Sequence, residues 1–99
     1  MKIDFNHTLT TFAGVPIAEG QESITVGVVA INALLMVYRD EIDLPGTEKA
    51  KRYSIAMKIH QGFCDFSVED VALIKRLVGK AYAPLVVGQV WAVLDSHEG

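Results

Sequence analysis

Apolar and polar residues alternate at the start of the chain: Ile3, Phe5, His7 and Leu9 fall on one side, Lys2, Asp4, Asn6 and Thr8 on the other. A period of two marks a half-buried strand. Ala13 and Gly14 supply a turn, and Val15 and Ile17 resume the spacing, so residues 1–18 read as a short β-hairpin. Pro16 has no amide hydrogen to donate, which confines the second strand to an edge or to a very short pairing. Residues 19–22 read as polar loop.

Further along, the period lengthens to that of helices. A first helix is expected over residues 26–39, capped by Ser23 or Thr25, with a stripe of Val28, Ile31, Leu35 and Tyr38 widened by Val29, Leu34 and Val37. Apart from Asn32 and its ends it has almost no polar face, so it belongs at the centre of the domain or against a second copy. Residues 40–46 form an acidic connection ending in Pro45-Gly46 turn chemistry. Thr47 caps a second helix over 48–61, with Ala50, Tyr53, Ala56, Met57 and His60 facing inward and Gly62 as its left-handed stop. Ser67 opens a third helix, with Asp70 placed to reach back to the cap and Val71, Ile74, Leu77, Val78 and Ala81 as its stripe. Gly79 weakens its end, and Pro84 stops it and begins a fourth helix, running to about residue 94. Val87, Val90, Trp91 and Leu94 line that helix, with Val86 and Val93 beside them, and residues 95–99 read as a frayed tail. The fold class is therefore mainly α: about four helices in one compact domain, residues 1–99, with the short N-terminal β-hairpin ahead of a helical core over 24–95.

Composition supports this reading. Apolar side chains make up 51% of the 99 residues, enough for a domain of this size to fold without staples. The lone Cys64 excludes an intrachain disulfide and suits a reducing compartment. No basic leader precedes a short apolar run, so no signal peptide is expected. The longest apolar stretch, residues 24–37, falls short of the ~20 residues that a membrane helix needs. A net charge of −3 gives no steering field toward nucleic acid or an anionic bilayer. These features together place the chain in the cytoplasm, off the membrane.

Candidate chemistry is sparse. His60 and Cys64 stand four apart, but Gly62 lies between them and a structural zinc site takes four ligands. The expectation is a core cysteine and a helix-end histidine, with no metal and no cofactor. A nucleophilic Cys64 would need a base and an orienting group, and the flanking Phe63 and Phe66 suggest an apolar setting in which a thiol is inert. No catalytic residue is assigned, and the chain does not read as an enzyme. Asp40, Glu41 and Asp43 match no calcium loop and read as solvated.

Two surfaces remain. Lys49, Lys51 and Arg52 on the second helix, with Lys58, and Lys75, Arg76 and Lys80 on the third could contact phosphates if their faces were coplanar. Such residues are more often a solvated face paired with Glu48, Glu69 or Asp70, so nucleic acid is the lesser reading. The apolar excess weighs more. Tyr38, Tyr82 and Trp91 are residue types that anchor interfaces, and with Val86 and Val87 they make the expected surface of a homo-oligomer.

Three segments also carry a resemblance: Gly46-Thr47-Glu48-Lys49-Ala50-Lys51-Arg52-Tyr53, Val68-Glu69-Asp70-Val71-Ala72-Leu73-Ile74-Lys75, and Gly79-Lys80-Ala81-Tyr82-Ala83-Pro84-Leu85-Val86-Val87-Gly88-Gln89. With Phe12-Ala13-Gly14-Val15-Pro16-Ile17 and Val29-Ala30-Ile31-Asn32-Ala33-Leu34-Leu35 they resemble a group of short, uncharacterised phage- and prophage-encoded proteins over nearly the whole chain. The motifs concerned are caps, a turn and an apolar stripe. The resemblance implies a viral origin and a bacterial host cytoplasm, and it brings no activity and no site residue. The resulting expectation is a small non-enzymatic accessory protein, an assembly factor or an inhibitor of a host system. It would act through contacts with a second copy or with a viral or host protein. A nucleic-acid-binding regulator using the basic helix faces is the alternative.

Overall fold

The structure, a computed structural model, describes residues 2–20 and 22–96. Two short strands, β1 (Ala18–Glu19) and β2 (Glu22–Ser23), precede four helices: α1 (Val26–Leu35), α2 (Gly46–His60), α3 (Val68–Ala81) and α4 (Pro84–Asp95). A 3₁₀ turn at Arg39–Glu41 lies between α1 and α2. The fold is mainly helical with a short hairpin near the N-terminus, and α1 packs against α2, α3 and α4. The expected fraying beyond Ser96 lies outside the described residues.

The hairpin sits later in the chain than the alternation placed it. Its strands pair antiparallel as Ala18 with Ser23 and Glu19 with Glu22, where polar loop was expected. Residues 2–17 instead make isolated bridges, Lys2 with Asp65, Thr8 with Thr25 and Thr10 with Pro16. Three backbone bonds account for the change. The Leu9 amide donates to the Ile24 carbonyl at 2.9 Å, Ile24 to Ile17 at 2.8 Å, and Ile17 back to Leu9 at 2.9 Å. Three passes of chain thus close a ring of hydrogen bonds around the fully buried Leu9, which leaves no room for a long two-stranded ladder. Ile3, Phe5 and Leu9 are buried as the period of two requires, but His7 is exposed.

That N-terminal segment also completes α1. A helix leaves its first amides without internal partners. Here Val26 donates to the His7 carbonyl at 2.9 Å, Gly27 to the Phe5 carbonyl at 2.8 Å, and Val28 to the Thr25 hydroxyl at 3.3 Å. Thr25 is therefore the cap. Gly27 is required for this docking: a Cβ there would lie 3.0 Å from the Phe5 carbonyl oxygen and 3.3 Å from its Cβ.

Two helix faces differ from the expected stripes. On α1 the buried residues are Val26, Gly27, Val29, Ala30, Ala33 and Leu34, while Val28 and Leu35 are exposed. Small residues let the neighbouring helices approach a central helix closely, so that face is inward despite its smaller side chains. On α2 the inward set is Arg52, Ile55, Ala56 and Ile59; Tyr53, Met57 and His60 are exposed. The true stripe is displaced by one residue because an arginine occupies an inward position. Nor does Thr47 cap α2: the helix starts at Gly46 behind Pro45, with no side-chain cap. Gly62 closes it at φ +91°, as expected. Ser67 caps α3 through the Asp70 amide at 3.2 Å, and α3 buries Val71, Ile74, Leu77 and Val78 as its pattern requires. On α4, Val90 and Leu94 are buried.

Gly27→Val is expected to lower the free energy of unfolding by about 1–3 kcal/mol, the usual range for overpacking. Gly46→Ala, with nothing within 4 Å of the added carbon, should stay within about 0.5 kcal/mol of the parent. Urea denaturation of the two variants checks the contrast.

Candidate functional site

Among the described residues, a connected polar group lies where the end of α1, the 3₁₀ turn, α2 and α3 meet. After Leu35 the chain leaves the helix, with Met36 extended at φ −76°, ψ 147°. The first helix is thus shorter than its apolar run. The reason is Tyr38, which folds back so that its hydroxyl donates to the Ala33 carbonyl at 2.7 Å, with the Leu77 carbonyl 3.2 Å away. One of the unpartnered carbonyls at the end of α1 is satisfied in this way. Burial holds the Tyr38 hydroxyl above its ordinary pKa.

Arg52 lies beneath, only 3% exposed. Its two terminal nitrogens donate to the two carboxylate oxygens of Glu41 at 2.8 and 2.7 Å. This bidentate geometry is the strong form of an arginine–carboxylate contact. The hydrogen bonds from Arg52 hold the Glu41 carboxyl below its ordinary pKa, and the same bonds raise that of Arg52. Nε of Arg52 is buried without a hydrogen-bond partner, the Glu48 carboxylate standing 3.8 Å off. Lys80 completes the group: its amine is 2.9 Å from Asp40, 3.9 Å from Glu41 and 4.8 Å from the centre of the Tyr38 ring.

Beside this cluster opens a cavity of about 700 Å³, whose wall is mainly apolar. Leu34, Leu35, Met36, Val37, Ile42 and Leu44 contribute to it, together with Tyr38, Arg39, Glu41, Lys49 and Arg52. A second cleft, of about 720 Å³, lies between Thr10, Thr11 and Phe12 and the start of α4 at Pro84, Leu85, Gly88 and Gln89. Gln89 ties its two sides together, accepting from the Thr10 amide at 2.9 Å and donating to the Thr10 carbonyl at 2.7 Å.

The expected interface residues do not form one exposed face. Tyr38 is buried, and Tyr82, Val86 and Val87 are half-buried against the core. Trp91 is 37% exposed and lies along α3, its indole nitrogen donating to the Lys75 carbonyl at 3.0 Å. Gly79 makes that seat, since a Cβ there would stand 3.1 Å from the indole ring. Among the basic residues, Arg52 is internal. Lys75 pairs with Asp95 at 2.8 Å and covers Trp91, and Lys80 is held as described. Lys49, Lys51 and Arg76 are exposed, but Lys51 and Arg76 share a shallow depression with Glu48 and Glu69. Cys64 is exposed, not in the core: Phe66 is the side chain of this segment that is buried, and the Cys64 carbonyl accepts from the Ile3 amide at 2.9 Å. Among the described residues, no three His, Cys, Asp or Glu groups gather in a way that could hold a metal ion. No helix among them is long and apolar enough to cross a membrane.

Sequence reasoning missed Glu41, read as solvated loop, and the fully exposed Phe12. The signal for the first lay in α2: Arg52, Ile55, Ala56 and Ile59 have helical spacing once an arginine is allowed inward.

The chain matches no family model, no curated protein and no solved structure. Its own geometry therefore carries the functional reading.

Removing one partner of the buried pair should be costly. Glu41→Leu strips the buried guanidinium of its bidentate partner, leaving only the Glu48 carboxylate 3.8 Å from Nε, and is expected to cost about 3 kcal/mol or more. Arg52→Met should cost less, because the Glu41 side chain, 15% exposed, lies nearer to water than that of Arg52 at 4%. Chemical denaturation of both variants measures the order. In addition, the lowered Glu41 pKa means that its stabilisation is complete above the ordinary value of 4.5 and is lost as pH falls through the folded value. The stability gap between the parent and Glu41→Gln should therefore be constant above pH 4.5 and close on acidification, as followed by denaturation across pH.

Proposed function

We propose that this chain is a non-enzymatic binding module that works by protein–protein contact, with the turn carrying Phe12 at the centre of its contact surface. The observation that supports this most is Phe12 itself, an aromatic side chain that is fully exposed. Val15 at 58% and Leu85 at 38% exposure add apolar area nearby. Aromatic side chains are the usual anchors of protein interfaces, and their cost of ordering is low when they are already held in place. This one is held. Thr11 donates to the Val15 carbonyl at 2.8 Å, Gly14 to the Thr11 carbonyl at 2.9 Å, and the Val15 amide to the Thr11 hydroxyl at 3.3 Å.

On this reading the surface shifts from the Trp91 face to the Phe12 turn and the start of α4. A second copy of the chain is its first partner, and a viral or host protein is the wider class. The resemblance of the sequence, and not the surface, is the basis for proposing an accessory factor of a phage or prophage, for assembly or for inhibition of a host system, in the bacterial cytoplasm. The nucleic-acid alternative is not favoured by the placement of Arg52, Lys75 and Lys80, whose charges are engaged within the chain.

Light scattering behind size exclusion tests the proposal at low and high salt. The parent chain should show the mass of a dimer at both salts, and Phe12→Ser should return it to a monomer with an unchanged melting temperature. A parent chain that stays monomeric, with the amide resonances of residues 10–15 independent of concentration, contradicts self-association through this turn.

A further inference from the structure

We propose that the cavity between the end of α1, the 3₁₀ turn and α2 is a binding site for a small amphiphilic carboxylate: an apolar body with a single anionic head. It is separate from the Phe12 surface and does not depend on that reading.

Size and wall chemistry come first. A volume of about 700 Å³ falls within the ~300–1,000 Å³ typical of small-molecule sites. Such sites combine a mainly apolar lining with a few placed polar groups. Here Leu35, Met36 and Ile42 line the cavity and remain 53%, 42% and 82% exposed, so the protein itself leaves the apolar wall uncovered.

The sign of the ligand follows from charge. Arg39, Lys49 and Arg52 line the cavity against one carboxylate, Glu41. Glu41 is matched by Arg52 through both of its oxygens. Arg39 and Lys49 make no ion pair among the described residues, so the wall carries two uncompensated cations on a chain of net charge −3. An anionic head against Arg39 and Lys49, with its apolar body on Leu35, Met36, Ile42 and Leu44, would satisfy both features at once.

The ligand's small size follows from what flanks the opening. Arg39, Ile42 and Leu44 also border a shallower hollow that contains Asp40 and Asp43. An anionic bilayer laid across this region would meet those carboxylates, whereas one small molecule seated in the cavity meets the apolar wall and its cations, with Glu41 already paired to Arg52.

The test is an NMR titration of the full chain with decanoate below its micelle concentration, run beside decanol and decylamine. Decanoate should shift amides over residues 34–44 and 49–52 saturably, and bind about tenfold tighter than decanol, the worth of one charge-assisted contact. Decylamine should bind more weakly than either. Lys49→Glu, a change at an exposed and unpaired side chain, should weaken decanoate about fivefold or more and leave the melting temperature unchanged. Equal affinity for decanol, an unchanged affinity in Lys49→Glu, shifts confined to the Phe12–Leu85 cleft, or no saturable shift at millimolar decanoate would each overturn the proposal. So would binding to phosphatidylglycerol vesicles that decanoate fails to compete.

Discussion

The pairing of Arg52 with Glu41 constrains more of this fold than any other contact. A guanidinium that is almost wholly removed from water cannot remain unpaired, because the desolvation cost of an isolated buried charge amounts to several kcal/mol. Once α2 turns Arg52 inward, the chain between α1 and α2 must deliver a carboxylate to it. The 3₁₀ turn at Arg39–Glu41 does so, and it can only be reached if α1 stops at Leu35. Tyr38 then becomes the hinge of the arrangement, closing the end of α1 with its hydroxyl while its ring lies beneath Lys80. The polar group and the adjacent cavity are thus two results of one constraint: the segment that supplies Glu41 also holds Leu35, Met36 and Ile42 away from the core.

A second constraint acts at the other end of α1. That helix is apolar almost all round and offers little at its N-terminus to satisfy its own amides. The N-terminal segment supplies what is missing, with the carbonyls of His7 and Phe5 serving as caps. This is why residues 2–9 run across the helix end, with Ile3, Phe5 and Leu9 buried, and do not pair in a long hairpin. The ring of bonds between Leu9, Ile17 and Ile24 fixes the segment in place, and Gln89 joins it to α4. Helix ends and the N-terminal segment therefore depend on each other for hydrogen bonding, while the apolar contacts behind them form one core.

These constraints explain which parts of the fold were legible in the sequence. The cap at Ser67, the stop at Gly62, the start of α4 at Pro84 and the stripe of α3 are local features, each set by residues within one turn of it, and the cap of α1 was narrowed to Ser23 or Thr25, of which Thr25 serves. The inward faces of α1 and α2 were not legible by apolar size alone. On α1 the small residues Gly27, Ala30 and Ala33 face the neighbours, so bulk pointed to the wrong side. On α2 an arginine occupies an inward position, and a charged side chain normally reads as solvated. Glu41 and Tyr38 carry no local sign of their roles, since each is defined by a partner in another element. Phe12 is the converse case: an apolar residue in a turn that looked structural and that the fold leaves in solvent.

Arg52 is locked in a bidentate, buried pair, and the side-chain NMR signals of the arginines report on that lock. At neutral pH the Nε proton of Arg52 should exchange slowly with water, and its terminal amino protons should appear as separate resonances because rotation is blocked. Arg39 and Arg76, which are exposed, should show fast exchange and averaged signals. Arg52 side-chain protons that exchange and average like those of Arg39 and Arg76 would contradict a locked pair, and the placement of the 3₁₀ turn would then lack its cause.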